Sequence, residues 1–216
     1  MDEQVLERIR QAAVGNQVSC ASAHRIAQDL GVPPIAVGKV ADAHGLRMAL
    51  DHDHVWQHLV GGPLPDDHTA RHWVTSVLDR GWFPWTVRLR RDVGGRHAGT
   101  VVGWSSFLEI SPNDARLEIG NTAYDPAVWG SVVNPECKLL LMTWAFEVAH
   151  MGRVQLKTDI RNARSQQAIA RLGATYEGVL RRYQRRQDGS VRDTVVFSVL
   201  AEEWPAVKAG LLERVS

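Results

Sequence analysis

The sequence has few cysteines and no long apolar run. Cys20 and Cys137 are its two cysteines among 216 residues, too few for a disulfide framework, and this favours a reducing compartment. No apolar stretch approaches the length that crosses a bilayer, and the first residues, MDEQVLERIRQ, are charged and amphipathic. These absences predict a soluble, cytoplasmic protein that does not act at a membrane.

The chain also lacks an excess of either charge. Its 25 Lys and Arg residues against 24 Asp and Glu residues give a formal net charge of +1. A nearly neutral protein has no global field that would attract nucleic acid or an anionic membrane. Hydrophobic residues make up 44% of the chain, enough for one sizeable core, and no internal repeat or low-complexity tract interrupts it.

Residues 1–50 differ in pattern from the rest of the chain. They predict a helix that ends at Leu30, a tight turn at Gly31 and a second helix that opens at Pro34, a spacing typical of a helix-turn-helix unit. Five basic and five acidic residues balance within this segment, whereas DNA-reading domains are usually strongly basic. We therefore expect the unit to pack or to form a homodimer, and DNA is an unlikely partner.

Residues 51–216 alternate between helical and strand patterns and form the second predicted unit. Two short helices come first, followed by three strand-like runs, a long helix, a strand, a helix and a final hairpin that turns at Asp188-Gly189. The strand-like runs are residues 82–91, 97–110, 115–124, 153–160, 177–184 and 191–200. Three consecutive strands followed by strand–helix alternation predict an α/β domain with a mixed sheet.

Two helix starts could carry chemistry, because exposed backbone N–H groups at such positions bind anions. Asn134-Pro135 predicts a helix opening with Asn as cap and Pro in the first turn, and Glu136 and Lys138 follow. These residues alone fit a capped helix without a ligand equally well.

The second helix start lies in the stretch DIRNARSQQAIARLGATYEGVL. Asn162 can cap this helix by accepting the backbone N–H of Ser165, but the cap does not explain why residue 165 is Ser. The Ser165 hydroxyl could face whatever lies between the two helix starts. A structural role and a catalytic role therefore both remain open at this point.

An ordered set of short motifs runs through the second unit. In chain order they are Leu117-Glu118-Ile119-Gly120, Asn134, Glu136, Lys138-Leu139-Leu140-Leu141, Asn162, Ser165, Leu172-Gly173-Ala174, Glu177-Gly178, Arg192-Asp193 and Glu203-Trp204-Pro205. This set resembles the GNAT superfamily of acyl-CoA-dependent N-acetyltransferases, and most of all its branch related to the ribosomal-protein N-terminal acetyltransferases. The resemblance runs from about residue 54 to the C-terminus and is strongest over residues 99–206.

The resemblance implies a GNAT fold, in which a mixed, V-split central sheet is flanked by helices and holds acetyl-CoA in its opening. It implies direct transfer of the acetyl group to a primary amine, with Ser165 protonating the departing thiolate and Glu118 as the remaining candidate for the base. The residues that it implies for the cofactor are Gly120, Asn121, Thr122, Gly130, Ser131, Val132, Asn134, Lys138, Asn162 and Ser165. His54, His58, His72 and Tyr183 are expected beside the amine acceptor, which is a small molecule or a protein N-terminus.

The sequence departs from the family pattern at three places. Val132 and Val133 replace small residues in the phosphate loop, which leaves less room for an anion. Gln184 stands where related enzymes place a carboxylate base, and an amide cannot accept the amine proton. The first family strand is short or missing, and Gly45–Leu50 alone could supply it.

Two other functions remain open. The chain could be an acyl-CoA-sensing regulator with a weakly catalytic domain, or a non-catalytic interaction module whose partner binds the N-terminal unit. The histidine pairs at residues 54 and 58 and at residues 68 and 72 have the spacing of metal ligands, but no cysteine or carboxylate cluster accompanies them, so we expect no metal. The basic run at residues 181–186 could hold an acidic acceptor or form a solvated strand face.

Overall fold

The computed structural model describes residues 46–57, 59, 63–186 and 188–216, together with Gln4, Glu7, Gln11 and Asp29. The predicted helix-turn-helix unit therefore lies outside the described residues, except for those four residues and its last five positions. Residues 46–49 form a helical turn, so the prediction that Gly45–Leu50 could supply a strand was wrong. Leu46 and Leu50 are buried against Trp56 and Trp104, and this packing favours a compact turn over an extended segment.

The described residues form six strands and five α-helices with short 3₁₀ and π segments. In chain order they are α1 (Asp53–Trp56), α2 (Asp67–Asp79), β1 (Phe83–Arg88), β2 (Val101–Ser111), β3 (Arg116–Tyr124), a 3₁₀ turn (Pro126–Val128), α3 (Val133–Thr143), a π-helical segment (Trp144–Val148), β4 (Arg153–Asp159), α4 (Ala163–Arg171), β5 (Thr175–Arg185), β6 (Val191–Leu200) and α5 (Trp204–Val215). No described helix has the length and apolar character that a bilayer crossing requires.

The six strands form one mixed sheet in the order β1-β2-β3-β4-β6-β5. All neighbouring pairs are antiparallel except β3 and β4, which run parallel and pair at three positions, Arg116–Glu118 with Arg153–Gln155. Beyond these positions β3 continues to Tyr124 and β4 to Asp159 without pairing to each other. The sheet is therefore split between β3 and β4, which confirms the mixed, V-split architecture.

Two apolar clusters hold the helices against the sheet. The larger joins β2, β3, β4 and β6 to α3, α4 and α5, and it includes Met142, Val154 and Leu211. The smaller joins α1 and α2 to β2 around Trp56 and Trp104. Residues 101–108 of β2 are buried along the whole run, because these clusters cover both faces of the strand. The larger cluster therefore packs against strands on both sides of the split.

A β-bulge interrupts β3 where it borders the split. Trp104 pairs with Ala123 and Ser106 with Gly120, so that Asn121 and Thr122 together oppose the single residue Ser105. Asn121 has φ +44°, a left-handed conformation that a bulge can require. The bulge changes the direction of the strand's side chains and amides at the edge of the opening.

The local start and stop signals were mostly confirmed. Asp66 caps α2 by accepting the N–H of Thr69 at 2.6 Å, and turns occur at Gly94-Gly95 and at Gly189. The Asn134 cap was wrong: α3 begins at Val133, and its N-cap position, Val132, makes no side-chain capping bond. In place of one long helix, the chain passes from α3 into the π-helical segment at Trp144.

Candidate active site

A cleft of about 830 Å³ lies at the split in the sheet. Its lining comes from α1, the end of β2, β3, the loop before α3, α3, β4, α4, the facing ends of β5 and β6, and the last turn of α5. The predicted site residues that line it are His54, Glu118, Gly120, Asn121, Thr122, Gly130, Ser131, Asn134, Lys138, Asn162, Ser165 and Tyr183. Val132 and His72 lie outside this lining, and His58 lies outside the described residues.

Asn162 and Ser165 open α4 at the edge of the cleft. The Asn162 Oδ1 accepts the backbone N–H of Ser165 at 3.0 Å, which confirms the cap. The Ser165 side chain is half-buried, lines the cleft and forms no hydrogen bond with another described residue. The cap therefore holds the Ser165 backbone in place and leaves its hydroxyl available to a ligand.

The loop between the 3₁₀ turn and α3 lines the same cleft through Trp129, Gly130 and Ser131. Gly130 has φ +73°, and the Ser131 hydroxyl donates to the Val128 carbonyl at 2.6 Å and accepts the Val133 N–H at 3.3 Å. Val133, the first residue of α3, lies outside the cleft lining: it packs in the larger core cluster and is 6% exposed. Val132 also lies outside the cleft lining.

Asn134 lies in the first turn of α3, where amides lack intrahelical partners. Its side chain lines the cleft and makes no hydrogen bond with another described residue. Although Asn134 does not cap the helix, its amide group is thus available at the position where the cofactor was predicted.

Polar groups cluster at the bulge of β3. The Asn121 Nδ2 is buried without a hydrogen-bond partner, and Asn121 lines the cleft. A buried amide donor without a partner costs free energy, so a ligand acceptor in the cleft would relieve that cost.

Lys138 projects from α3 onto this bulge and is 5% exposed. Its Nζ donates to the Ser105 Oγ and to the Thr122 Oγ1, each at 3.0 Å, and those two hydroxyl oxygens lie 2.7 Å apart. No carboxylate among the described residues lies within ion-pair distance of this ammonium. Burial lowers the pKa of Lys138 below its ordinary value.

Glu118 lies on β3 at the last position that pairs with β4. Its side chain is 9% exposed, and its Oε2 accepts from the Lys157 Nζ at 2.8 Å. The Oε1 folds over Gly120 so closely that a Cβ on that glycine would lie 2.6 Å from it. Burial raises the pKa of the Glu118 carboxyl, and the ion pair with Lys157 opposes this rise without cancelling it.

Lys157 links Glu118 to a second, more exposed carboxylate. Its Nζ donates to the Glu109 Oε1 at 2.7 Å and to the Tyr183 hydroxyl at 2.9 Å, and the ammonium lies 4.9 Å from the centre of the Tyr183 ring. Glu109 is 44% exposed and occupies a left-handed conformation with φ +46° at the end of β2. Gln184 also lines this part of the cleft. Tyr183 thus lies beside the carboxylates, and the Lys157 bridge was not predicted.

Trp129 and Arg164 were missed by the sequence analysis. The Arg164 guanidinium lies 3.4 Å from the centre of the Trp129 ring, whose Nε1 donates to the Tyr124 carbonyl at 2.9 Å. His54 meets the same ring edge-on at 5.1 Å. The contact joins the loop before α3 to the first turn of α4, and 35 positions in sequence separate its partners, so no local pattern signals it. His54 therefore lies beside this loop rather than beside Tyr183.

The arginines at the end of β5 and just after it lie in two kinds of environment. Arg181 and Arg185 are exposed, whereas Arg186 forms a two-point ion pair with the buried Asp159 at 2.6 and 2.9 Å. Asp159 also accepts the Arg161 N–H at 2.9 Å, which fixes the turn that leads from β4 to Asn162. Arg186 therefore positions the site, and the described residues contain no group of three or more candidate metal ligands.

The chain is similar in sequence to known acetyltransferases. The acetyltransferase (GNAT) domain family matches residues 36–175. The chain is 29% identical over 144 residues to N-acetyltransferase p20 of Bacillus licheniformis, itself uncharacterised, and this match covers 66% of the chain and 78% of p20.

Solved structures share the architecture. A protein of T. thermophilus, provisionally assigned as an acetyltransferase, is 38% identical with a TM-score of 0.72, over 82% of this chain and 90% of that one. RimJ of Mycobacterium smegmatis, solved in complex with CoA-disulfide, is 18% identical with a TM-score of 0.64, over 81% of this chain and 85% of RimJ. At that identity the RimJ match shows the fold alone.

Proposed function

The chain belongs to the GNAT acetyltransferase family and is an acyltransferase enzyme, and from this premise we propose that it transfers the acetyl group of acetyl-CoA directly to a primary amine. The observation that carries the proposal is the convergence of Asn121, Asn162, Ser165 and Glu118 on one cleft at the split in the sheet. Ser165, Asn162 and Glu118, which the sequence predicted as proton donor, helix cap and base, thus line the same cleft as the unpartnered amide of Asn121. We place acyl-CoA in that space.

The residues present fit an acyl-CoA. The strand edges of β3 beyond Glu118 and of β4 beyond Gln155 have no strand partner across the split, so their backbone groups can bond to an extended ligand. The unpartnered Asn121 Nδ2 adds a side-chain donor. The loop from Gly130 to Asn134 would hold the phosphates through backbone N–H groups at the start of α3. The acyl-CoA supplies the activated thioester.

Two side chains have positions suited to proton transfer. The Ser165 hydroxyl, held at the start of α4, would donate a proton to the departing sulfur. Glu118 would accept the amine proton, because burial raises its basicity while the Lys157 ion pair keeps it ionised over a useful pH range. Gln184, which stands in the expected base position, would act only as a hydrogen-bonding group.

The acceptor amine would approach from the side of Glu109 and Tyr183. Glu109 is half-exposed, so its carboxylate can attract a protonated amine before Glu118 removes the proton. We propose these two side chains, rather than His54, as the contacts of the acceptor. The regulator alternative is not favoured, since the matching family and the relatives are acetyltransferases.

The test is acetyl transfer from acetyl-CoA to a panel of primary amines and peptide N-termini. We expect Ser165→Ala and Glu118→Gln each to lower kcat by about 100-fold, with smaller changes in the affinity for CoA. Arg181→Ala, on the exposed face of β5, serves as a control because it removes a charge outside the cleft lining. Transfer that is equally fast in all three variants would contradict the assigned roles.

A further inference from the structure

Charge is unevenly distributed along the cleft. Among the described lining residues the carboxylates are Glu109 and Glu118, and both contact Lys157 at the end where we place the acceptor. The side formed by α4 and the last turn of α5 instead carries arginines, which are Arg164, Arg171 and Arg214. No carboxylate among the described residues forms an ion pair with these three arginines. This side of the cleft is therefore suited to an anionic part of a ligand.

Two of the arginines lie on one face of α4. Positions 164, 168 and 171 are four and three residues apart, so their side chains share a face, and all three positions line the cleft. At a rise of 1.5 Å per residue, Arg164 and Arg171 lie about 10 Å apart along the helix axis. The residue between them is Ala168, whose small side chain leaves room on the helix surface for a sugar ring.

Arg164 connects this face of α4 to the loop that we assign to the phosphates. Its guanidinium lies 3.4 Å from the centre of the Trp129 ring, and Trp129 directly precedes Gly130 in that loop. The contact with the ring uses the flat face of the guanidinium, and Arg164 forms no hydrogen bond with another described residue. A ligand whose diphosphate lies at the loop can therefore continue along the arginine-bearing face of α4.

Arg171 and Arg214 meet at the far end of that face. The Arg214 Nη1 donates to the Arg171 backbone carbonyl at 3.0 Å, which satisfies a carbonyl in the last turn of α4. A basic side chain at this end of the helix also suits the helix dipole. These structural roles use one N–H of Arg214, whereas the Arg171 guanidinium has no hydrogen bond with a described residue. Both side chains are exposed and line the cleft, so their remaining N–H groups can reach an anion there.

We propose that Arg171 and Arg214 bind the 3′-phosphate of CoA and that Arg164 contacts its diphosphate. This inference rests on the proposed function and specifies which part of the cofactor the arginines recognise. Six single bonds of about 1.5 Å join the 3′-phosphorus to the diphosphate through the ribose, a span of roughly 6–7 Å. The ribose would then lie over Ala168, and the long arginine side chains would close the rest of the distance along α4.

Arginine is chemically suited to this part of the cofactor. Its planar guanidinium offers several N–H donors to phosphate oxygens and keeps its charge at any physiological pH. A CoA that lacks the 3′-phosphate would keep its contacts with the phosphate loop and the strand edges, but it would leave Arg171 and Arg214 without a ligand. The inference therefore predicts discrimination between CoA and 3′-dephospho-CoA, whatever the acceptor is.

The experiment measures the dissociation constants of CoA and 3′-dephospho-CoA by calorimetry. We expect the wild-type protein to bind CoA about tenfold more tightly, because each exposed arginine–phosphate contact contributes about threefold. Arg171→Gln and Arg214→Gln should each lower this ratio about threefold, and the double variant should bring it close to one. The ratio should also fall as salt is added, because salt screens exposed charges. Arg181→Gln is the matched control, since it removes an exposed arginine outside the cleft lining, and it should keep the wild-type ratio.

The outcomes separate the inference from the proposed function. If the wild-type protein binds both ligands equally well, or if the double variant keeps the tenfold ratio, the inference is overturned and the proposed function stands. If neither ligand binds at millimolar concentration, the proposed function fails as well. The wild-type comparison decides the matter even if a variant does not fold.

Discussion

The two roles given to Asn162 can be separated by comparing Asn162→Ala with Asn162→Asp. Both variants lose the amide donor that we place against the ligand, but Asp keeps an oxygen in position to accept the Ser165 N–H, which lies 3.0 Å from the Asn162 Oδ1. Loss of an N-cap costs about 1 kcal/mol, and a carboxylate at this end of α4 is favoured by the helix dipole. Asn162→Ala should therefore lower the melting temperature by about 2–4 °C, and Asn162→Asp should lower it much less.

Ligand affinity should follow a different pattern. Both variants should bind acyl-CoA about threefold to tenfold more weakly, the range for one neutral hydrogen bond, as measured by calorimetry beside thermal melts. Asp66→Ala is the matched control, because Asp66 caps α2 in the same way and lies outside the cleft lining; it should lose thermal stability and keep its affinity. Equal melting temperatures for the two Asn162 variants would refute the cap, and wild-type affinity in Asn162→Ala would refute the ligand contact.

Three further predictions concern the carboxylates. Gly120→Ala should lower kcat at least tenfold, because the new methyl would lie 2.6 Å from the Glu118 Oε1 and displace that carboxylate. It would also lie 3.0 Å from the buried Leu108 Cδ1, so we expect a lower melting temperature as well, and an unchanged kcat would argue against Glu118 as base. Lys157→Met removes the ion pair that opposes the effect of burial on the pKa of Glu118, so this pKa should rise further. The acid limb of the plot of kcat/KM against pH should then move to higher pH. An unmoved limb would mean that it reports another titrating group. Burial alone would raise the pKa of Asp159, but hydrogen bonds from Arg186 hold that pKa below the usual 3.8. The pair therefore stabilises the fold above pH 3.8, and this contribution is lost as the pH falls. Asp159→Asn should flatten the acid side of a plot of melting temperature against pH, and an unchanged plot would contradict this.

Local signals in the sequence predicted the site where one short segment carries the whole feature. Asn162 and Ser165 are three residues apart, the spacing of a cap, and the structure confirms that bond. The same reasoning failed at Asn134, because the buried Val133 extends α3 backwards and core packing, rather than the cap, decides where that helix begins.

Features made by distant segments could not be predicted in this way. The Glu118–Lys157 ion pair joins two parallel strands, and the Trp129–Arg164 contact joins a loop to a helix, so both depend on the final registration of the chain. The packing of a side chain is equally hard to predict from sequence: Val132 and Val133 were expected to crowd the phosphate loop, yet neither belongs to the cleft lining, and Val133 packs in the larger core cluster. Family resemblance predicted where the candidate site lies, whereas the ion pairs around it depend on tertiary packing.

The short pairing between β3 and β4 has a mechanical consequence. Strand pairing at three residue pairs connects the half-sheet β1-β2-β3 to the half-sheet β4-β6-β5. Beyond these pairs the backbones of β3 and β4 do not pair with each other. A ligand that forms hydrogen bonds with both strand edges would bridge the two half-sheets, so that ligand binding would also stabilise their association. Amides on both sides of the seam should then exchange hydrogen more slowly when the ligand is bound, including amides in the half-sheet that contributes no catalytic side chain.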